Sequence, residues 1–322
     1  MTRKKVVVTN IIDEQGLEIL RGGAEVVYLP ELPGRTLSDE IGEAHALLVR
    51  AAKISRNLLE KAENLLVIAK HGVGYDTIDV EAATERRILV VNTPDANTES
   101  VAEHNMCLML CLSKNVCRGD RALRQGKLTK REDLMGVELS GKRLGIVGMG
   151  KIGVELSEKC RLAFNMRIIC YDPYVPKEKV AKLGYKQVEE LDELLRESEY
   201  VVISVPLTKT TANLIGAKEL ALMREDAFLI NSSRGGIVDE VALYDCLKQK
   251  RIAGAGLDVF LTEPLLPDNP LLSLENVVAT PHLGAMTTDA MKRMATTAAE
   301  EIMRVFQGQT PKYPVNPEIY RE

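Results

Sequence analysis

Residues 143–153 read RLGIVGMGKIG, a β-branched apolar run that leads into a G-x-G-x-x-G motif. The helical pattern of residues 154–164 follows at once, so the motif stands between a predicted strand and a predicted helix. In this context we expect Gly148 to make a tight turn, Gly150 to let a pyrophosphate approach the backbone, and Gly153 to pack the helix against the strand. The N-terminus of the helix would then hold the anion.

An acidic residue lies at the distance that a dinucleotide-binding motif requires. Asp172 ends the next predicted strand and stands 19 positions beyond Gly153. Its carboxylate can accept hydrogen bonds from ribose hydroxyls and would repel a 2′-phosphate. The sequence therefore predicts NAD rather than NADP as the cofactor.

Short apolar runs alternate with helical patterns on both sides of this motif. We predict strands at 5–9, 25–29, 46–49, 65–69, 88–91, 143–147, 167–171, 200–204, 227–231, 253–258 and 277–279. One long helix is predicted from residue 98 to about 125, and a last helix over 286–307. Such alternation is typical of α/β proteins whose parallel sheets are covered by helices on both faces.

The two strand arrays predict two doubly wound parallel-sheet domains, for which 322 residues are sufficient. We expect a Rossmann NAD-binding domain at 99–285. We expect a flavodoxin-like substrate-binding domain that is discontinuous, built from 1–98 and 286–322, because the last helix can return the chain to the first sheet.

Composition and charge exclude several classes of function. The 42 Lys and Arg against 46 Asp and Glu leave a net charge of −4, so we expect no nucleic-acid partner. No apolar run approaches the roughly 20 residues of a membrane helix. The six cysteines lack the spacing of a zinc site, so we predict no metal and interpret them as reduced core residues of a cytoplasmic protein.

Histidine is the usual proton donor and acceptor near neutral pH, and the chain has only four: His45, His71, His104 and His282. His45 lies just before a predicted core strand and His104 on the long helix, so we interpret both as structural. His71 and His282 lie where predicted strands end in glycine-bearing loops. Ligands of open α/β sheets bind at that edge.

Three strand ends of the second array carry charged groups: Arg234, Glu263 and His282. We expect them to meet in one crevice, because parallel strands end at the same edge. An arginine can hold a carboxylate in a bidentate fork, and a carboxylate beside a histidine fixes its tautomer and favours its charged form. The combination predicts acid–base chemistry on an anionic small molecule.

With these residues in place, the sequence resembles the NAD-dependent D-2-hydroxyacid dehydrogenases, most strongly their D-3-phosphoglycerate dehydrogenase branch. The resemblance covers essentially the whole chain. It rests on HGVGYD at 71–76, NTP at 92–94, NTESVAE at 97–103, the glycine motif with Asp172, and the loops of the three charged residues.

The resemblance implies specific roles. Arg234 would bind the substrate carboxylate and oxo group, His282 would be the acid and base, and Glu263 would partner that histidine. The implied cofactor contacts, besides the motif glycines, Arg234 and His282, are Lys151 and Ile152 at the pyrophosphate, Asp172 at the ribose, Val205 and Pro206 near the adenosine, Ser232 and Ser233 before the arginine, Asp258 near the nicotinamide amide, and Gly284 and Ala285 after the histidine.

The substrate is less defined. Arg50 resembles the phosphate-binding arginine of phosphoglycerate dehydrogenases, and Lys70 stands where that branch often has a second arginine, which implies a substrate such as D-3-phosphoglycerate with a second anionic group. Lysine is not equivalent to arginine at such a site. His71 also replaces a small residue, while Val73 and Gly74 would offer backbone N–H groups to the carboxylate. Glyoxylate, hydroxypyruvate or sulfolactate-type acids are the alternative.

Two further expectations follow from the resemblance. A homodimer is expected through the long helix and residues 127–135, although the chain has no Trp and Leu128 would replace the one common in that segment. Some members of this fold family are NAD-sensing co-repressors that keep the whole catalytic set, so a binding protein is the alternative of another class.

Overall fold

Two parallel sheets organise the chain, whose computed structural model describes residues 3–127 and 130–320. The chain forms two compact units. The split unit is discontinuous in sequence and consists of Met1–Asn97 with Met286–Glu322, and the central unit is Thr98–Ala285. Each unit has its own sheet and its own apolar clusters. The predicted class, α/β with two doubly wound parallel sheets, is confirmed.

In its described residues, 3–97, the first part of the split unit has five strands and four helices. In chain order they are β1 (Lys5–Val8), α1 (Glu14–Gly23), β2 (Glu25–Tyr28), α2 (Leu37–Glu40), β3 (Ala46–Val49), α3 (Arg56–Leu59), β4 (Val67–Lys70), α4 (Val80–Glu85) and β5 (Leu89–Val91). The sheet order is β2-β1-β3-β4-β5, with every pair parallel. This is the flavodoxin-like strand order.

The described part of the central unit, 98–127 and 130–285, contains the remaining strands and seven helices. They are α5 (Thr98–Ser113), α6 (Val116–Arg124), β6 (Arg143–Val147), α7 (Lys151–Phe164), β7 (Arg167–Tyr171), α8 (Lys177–Lys182), β8 (Lys186–Gln187), α9 (Leu191–Glu197), β9 (Tyr200–Ile203), α10 (Ala217–Leu222), β10 (Phe228–Asn231), α11 (Glu240–Lys248), β11 (Gly254–Leu257) and β12 (Val277–Ala279). The parallel sheet has the order β12-β11-β10-β9-β6-β7-β8. Its switch point lies beside β6, as in Rossmann folds.

The last helix, α12 (Thr288–Phe306), belongs to the split unit. Its buried face, Ala295, Ala298, Ala299 and Ile302, packs in one apolar cluster with residues of β1, β3, β4 and β5. The chain then runs antiparallel to β5, where the Val315 N–H donates to the Val90 carbonyl at 2.8 Å. A second apolar cluster, with Val7, Leu47 and Ile68, covers the other face of the sheet, which explains why its strands are continuously apolar.

The predicted single helix over 98–125 is wrong. It is two helices, because Asn115 adopts the left-handed conformation with φ of 53°. The segment after residue 134 packs on the end of α5: the Val137 N–H donates to the Ser113 carbonyl at 2.8 Å, and the Asn115 side chain donates to the Met135 carbonyl at 3.2 Å. The first bond satisfies the Ser113 carbonyl, which a continued helix would have used itself.

Smaller differences concern short or polar segments. Strand β8, only two residues long, was not predicted, and β4 begins two residues later than predicted. Of the six thiols, all free, Cys107 is exposed and Cys111 and Cys117 are half-buried, so the interpretation of the cysteines as core residues is wrong for these three. Leu128, the residue expected to replace a Trp, lies outside the described residues.

Two kinds of feature are absent from the described residues. No helix there has the length and apolar character needed to cross a bilayer. In the same residues, no group of three or more His, Cys, Asp or Glu side chains could hold a metal ion.

Candidate active site

The three predicted catalytic residues follow three neighbouring strands of the central sheet. Arg234 follows β10, Glu263 follows β11 and His282 follows β12. Since β10, β11 and β12 pair in parallel, all three loops leave the sheet at its carboxyl edge. This is the edge where ligands bind in open α/β sheets.

Glu263 and His282 form a direct pair. Nδ1 of His282 lies 2.7 Å from Oε2 of Glu263, and Oε1 of the same carboxylate accepts the Phe260 N–H at 3.1 Å. Burial raises the pKa of the Glu263 carboxyl, but the hydrogen bond and charge of His282, the Phe260 bond and the charge of Arg234 outweigh it, so the net pKa is lowered. Glu263 is therefore the ionised partner of the imidazole.

The loop that carries His282 is bonded to Asp258, a fully buried residue directly after β11. Its carbonyl accepts the His282 N–H at 2.8 Å, and its carboxylate accepts the N–H groups of Leu283 at 2.7 Å and Gly284 at 2.8 Å. His282 has a φ of 54°, which is uncommon for a residue with a side chain. Asp258 holds this backbone in place.

The Arg234 loop is shaped by Asn231, the last residue of β10. The Asn231 side chain donates to the Arg234 carbonyl at 3.0 Å and accepts the Ser233 N–H at 3.0 Å. Ser232 donates to Asn105 of α5 at 2.8 Å, and Ser233 donates to the Val205 carbonyl. These two serines, expected near the cofactor, thus anchor the loop in the structure.

The Arg234 and Glu263 loops touch at Gly235. A Cβ atom on Gly235 would lie 1.9 Å from the Phe260 carbonyl oxygen. Only glycine permits this approach, because real Cβ contacts are never so short. The position of Arg234 beside Glu263 therefore requires that residue 235 have no side chain.

The glycine motif has the geometry that its pattern predicts. Gly148 has a φ of 100° and its N–H donates to the Tyr171 carbonyl at 2.9 Å, which makes the tight turn after β6. A Cβ on Gly153 would lie 2.2 Å from the Gly148 carbonyl oxygen, so α7 packs directly against the turn. Strand, turn and helix are in the order of a dinucleotide-binding unit.

The start of α7 fits a pyrophosphate. The helix has 14 residues, its N-cap is Gly150, and no side chain caps it. A Cβ on Gly150 would meet no atom within 4 Å, so the approach to the first turn, with Lys151 and Ile152, is open. An uncapped helix N-terminus with open access is a site for an anion.

Asp172 lies at the end of β7, beside the glycine turn. Its Oδ2 accepts the Met149 N–H at 2.8 Å, and its Oδ1 accepts the N–H groups of Tyr174 at 2.9 Å and Val175 at 3.1 Å. Oδ2 keeps capacity for a further donor, as a ribose hydroxyl would be. Val205 lies against the same turn, and Pro206 next to it is exposed.

The predicted substrate residues of the split unit lie after β3 and at the end of β4. Arg50 is half-buried, and its guanidinium contacts the Met286 sulfur. Lys70 is buried, and its ammonium donates to the Arg50 carbonyl at 2.6 Å and to the Thr77 hydroxyl at 3.1 Å. Val73 and Gly74 are half-buried in the loop that follows.

His71 is buried directly after Lys70. Neither ring nitrogen has a hydrogen-bond partner among the described residues. Burial and the charge of Arg50 lower the pKa of His71 to about 4. Backbone groups of His71 and Met291 raise this pKa, but by less. The imidazole is therefore neutral at physiological pH.

Comparison with known proteins decides the family. Residues 106–284 match the model of the D-isomer specific 2-hydroxyacid dehydrogenase NAD-binding domain. The chain belongs to this family. As a D-2-hydroxyacid dehydrogenase family member, it carries that NAD-binding domain in the central unit, where the glycine turn and the open helix start lie.

Relatives and solved structures extend over the whole chain. It is 43% identical over 320 residues to D-3-phosphoglycerate dehydrogenase of Methanocaldococcus jannaschii, covering 99% of this chain and 60% of that one. It is 38% identical over 329 residues to glyoxylate reductase of Pyrococcus furiosus, covering 99% and 97%. A crystal structure of a Thermus thermophilus protein has 35% identity and a TM-score of 0.86, covering 97% and 99%. The chain thus spans about three fifths of the phosphoglycerate dehydrogenase and nearly all of the glyoxylate reductase.

Some residues that shape these sites escaped the sequence analysis. Asn10, two residues after β1, accepts the N–H groups of Arg50 at 3.3 Å and Ala51 at 3.1 Å. Thr280, directly after β12, donates to Asp258 at 2.6 Å. Both are polar residues at strand ends, the same signal that identified Arg234. His104 gave no such signal, because it lies within a helix.

Proposed function

We propose that this dehydrogenase family member interconverts a D-2-hydroxy acid and its 2-oxo acid with NAD(H). The observation that carries the proposal is the 2.7 Å pair of His282 and Glu263, in the loops that follow β12 and β11, with Arg234 after β10. The pair supplies an acid–base group, and the arginine supplies a cation for a carboxylate.

Each of these residues has a proposed role. Glu263 engages Nδ1 of His282, so Nε2 is the atom that gives or takes the proton of the substrate hydroxyl. Arg234 binds the substrate carboxylate and oxo group and stabilises negative charge there. NAD(H), held at the start of α7 and at Asp172, would supply the hydride chemistry when bound.

The proposed cofactor residues surround the carboxyl edge of the central sheet. The anion would lie at the start of α7, and the ribose at Asp172. The full proposed set is Gly148, Gly150, Lys151, Ile152, Gly153, Asp172, Val205, Pro206, Ser232, Ser233, Arg234, Asp258, His282, Gly284 and Ala285.

For the substrate, we propose D-3-phosphoglycerate or a related acid with a second anionic group. Arg50, half-buried after β3, would bind that group, with His71 beside it and Lys70 as a second cation. The backbone N–H groups of Val73 and Gly74 would bind a carboxylate. Similarity to a D-3-phosphoglycerate dehydrogenase over 99% of the chain supports this choice.

A second candidate is a short acid, glyoxylate or hydroxypyruvate, or a sulfolactate-type acid. One observation favours it: the Lys70 ammonium already donates to the Arg50 carbonyl and the Thr77 hydroxyl. A lysine held by protein oxygens contributes less to a phosphate than a free arginine fork would. Relatives named glyoxylate reductase and hydroxypyruvate reductase also match over 94% or more of this chain.

The deciding experiment measures NADH oxidation at saturating cofactor with 3-phosphohydroxypyruvate, hydroxypyruvate, glyoxylate, pyruvate and sulfopyruvate. Preference for the phosphorylated acid, together with an Arg50→Gln variant that raises its KM at least about tenfold and leaves the KM of glyoxylate unchanged, supports the phosphoglycerate assignment. Preference for a short acid supports the second candidate. If every acid is inert while NADH still binds, the chain is an NAD-sensing protein and the enzymatic proposal is wrong.

We also propose a homodimer that uses α6 and the segment after it. Four apolar side chains there, Val116, Leu123, Met135 and Val137, are exposed. Such residues are stabilised by burial in an interface. Light scattering after size exclusion should give twice the chain mass for the wild type and a lower mass for Leu123→Glu; a monomeric wild type contradicts the proposal.

A cytoplasmic location is our proposal from the six free thiols, three of them buried. Reducing compartments keep thiols in this state. Cell fractionation would test it, and recovery outside the cytoplasm would contradict it.

A further inference from the structure

His104, on α5, contacts the two residues that hold the His282 loop. Its Nε2 atom lies 3.1 Å from the Thr280 hydroxyl and 3.3 Å from Oδ1 of Asp258. The side chain is only 16% exposed, and that of Asp258 is 1% exposed. The contact is therefore shielded from water.

The protons of this cluster have one consistent arrangement. Thr280 has a single hydroxyl proton, and it donates that proton to Asp258 at 2.6 Å. Asp258, as a carboxylate, only accepts. Both contacts of Nε2 of His104 therefore require that Nε2 carry the proton, so His104 is a hydrogen-bond donor to the cluster.

Asp258 transmits this contact to the reacting histidine. Its carbonyl and carboxylate accept the main-chain N–H groups of three consecutive residues, His282, Leu283 and Gly284. Burial raises the pKa of the Asp258 carboxyl. The hydrogen bonds from His104, Thr280 and the loop outweigh this effect, so the net pKa is lowered and the carboxylate stays ionised.

There is little space for the cluster to rearrange. A Cβ on Gly284 would lie 3.1 Å from Oδ2 of Asp258, 3.6 Å from the Val101 side chain and 3.8 Å from Cδ2 of His104. The loop thus lies directly against the imidazole and a neighbouring residue of α5. A shift of either Asp258 or His104 would move the backbone that orients His282.

We propose that His104 is a positioning residue for the reaction: its Nε2–H orients Asp258 and Thr280, and through them the backbone of His282. This inference rests on the proposed function, because it assigns His282 the proton transfer. It differs from a packing role in requiring a hydrogen-bond donor at the Nε2 position, and not only a side chain of similar size.

The test compares two substitutions. His104→Leu keeps an apolar side chain without a donor, while His104→Gln retains an amide N–H near the position of Nε2. We expect His104→Leu to lower kcat for the best 2-oxo acid by about 10- to 100-fold, because small displacements of a catalytic group have effects of that size. KM for the acid should stay within about threefold. Because Asp258 and Gly284 belong to the proposed cofactor set, the NADH dissociation constant is measured by fluorescence and kcat is compared at saturating NADH. His104→Gln should restore most of kcat.

Controls separate positioning from folding. His45→Gln removes an imidazole of the split unit, which accepts the Lys5 N–H at 3.2 Å, and should leave kcat unchanged. If His104→Leu does not fold, Thr280→Val tests the same cluster, and we expect it to lower kcat several-fold at saturating NADH. Thermal melts establish which variants are folded.

Wild-type kcat in folded His104→Leu, or in Thr280→Val, overturns the inference. So does an equal loss in His104→Gln and His104→Leu, because the donor would then be irrelevant. A wild-type protein that reduces none of the acids overturns the proposed function, and the inference with it. An active wild type with unaffected variants overturns the inference alone.

Discussion

Nδ1 of His282 lies 2.7 Å from Oε2 of Glu263, and both side chains are partly open to solvent, at 45% and 37% exposure. The pair is thus accessible to a ligand while its orientation is fixed from behind by Asp258 and Phe260. A histidine with one nitrogen engaged by a carboxylate and the other available is arranged for repeated proton transfer.

Removing the imidazole should lower turnover far more than it weakens cofactor binding. For His282→Asn we expect kcat to fall by about 10²- to 10⁴-fold, the usual contribution of general acid–base catalysis. For Glu263→Gln we expect a smaller fall, about 10- to 100-fold, because the imidazole remains but loses its ionised partner. NADH oxidation and NADH fluorescence check both. Wild-type turnover in His282→Asn would refute the assignment.

Gly235 should tolerate no side chain. Gly235→Ala brings a Cβ to within 1.9 Å of the Phe260 carbonyl oxygen, so the Arg234 and Glu263 loops must separate. We expect lower thermal stability and at least about tenfold lower kcat/KM. Gly22→Ala in α1 is the matched control: its Cβ meets nothing within 4 Å, and alanine should stabilise that helix by about 0.5 kcal/mol. Equal behaviour of the two variants would count against this account of the loops.

Asp172 should govern the choice between NAD and NADP. Asp172→Ser removes the charge that repels a 2′-phosphate, so we expect the ratio of kcat/KM for NADH over NADPH to fall at least about tenfold. Absolute activity with NADH should also fall, because the Met149 N–H loses its acceptor. Glu189→Gln, which neutralises an exposed acid elsewhere in the central unit, should leave the ratio unchanged. An unchanged ratio in Asp172→Ser would remove this residue from cofactor selection.

His71 should destabilise the protein in acid. Its pKa is about 4 in the folded state and 6.5 as the ordinary value, so between these pH values the unfolded chain binds a proton that the folded chain does not. His71 costs no stability above pH 6.5. As pH falls to 4, the folding stability lost through this residue reaches about 3 kcal/mol. Urea unfolding of wild type and His71→Leu at pH 7.0, 5.5 and 4.5 measures it. We expect the variant to lose less stability on acidification, and parallel curves would contradict the shift.

Much of the fold is readable from the sequence because its signals are local. Runs such as Val6-Val7-Val8 and Leu47-Leu48-Val49 are apolar at every position, which only a sheet covered on both faces accommodates. The glycine motif likewise carries its own geometry, since the turn and the close packing both require glycine. Strand ends then place Arg234, Glu263 and His282 at one edge without further information.

What the sequence could not show are contacts between distant segments. The end of α5 depends on Val137 donating to Ser113, a bond that no local pattern announces. The position of His104 against Asp258 joins residues far apart in the chain, and the burial of His71 without hydrogen-bond partners is visible only once α12 packs on β4. Helical periodicity predicts which face of a helix is buried, but it does not predict which polar atoms that face contacts.

The return of α12 to the first sheet also has a consequence for biosynthesis. The apolar cluster of Val6 and Val8 is complete only when Ala295, Ala298 and Ile302 of α12 pack on it. The central unit, by contrast, is contiguous from Thr98 to Ala285. During synthesis, the whole central unit therefore emerges from the ribosome before α12 is available to cover the N-terminal sheet. Until α12 emerges, the part of that face which α1 does not cover is exposed apolar surface, and this nascent intermediate is the species that a chaperone would meet.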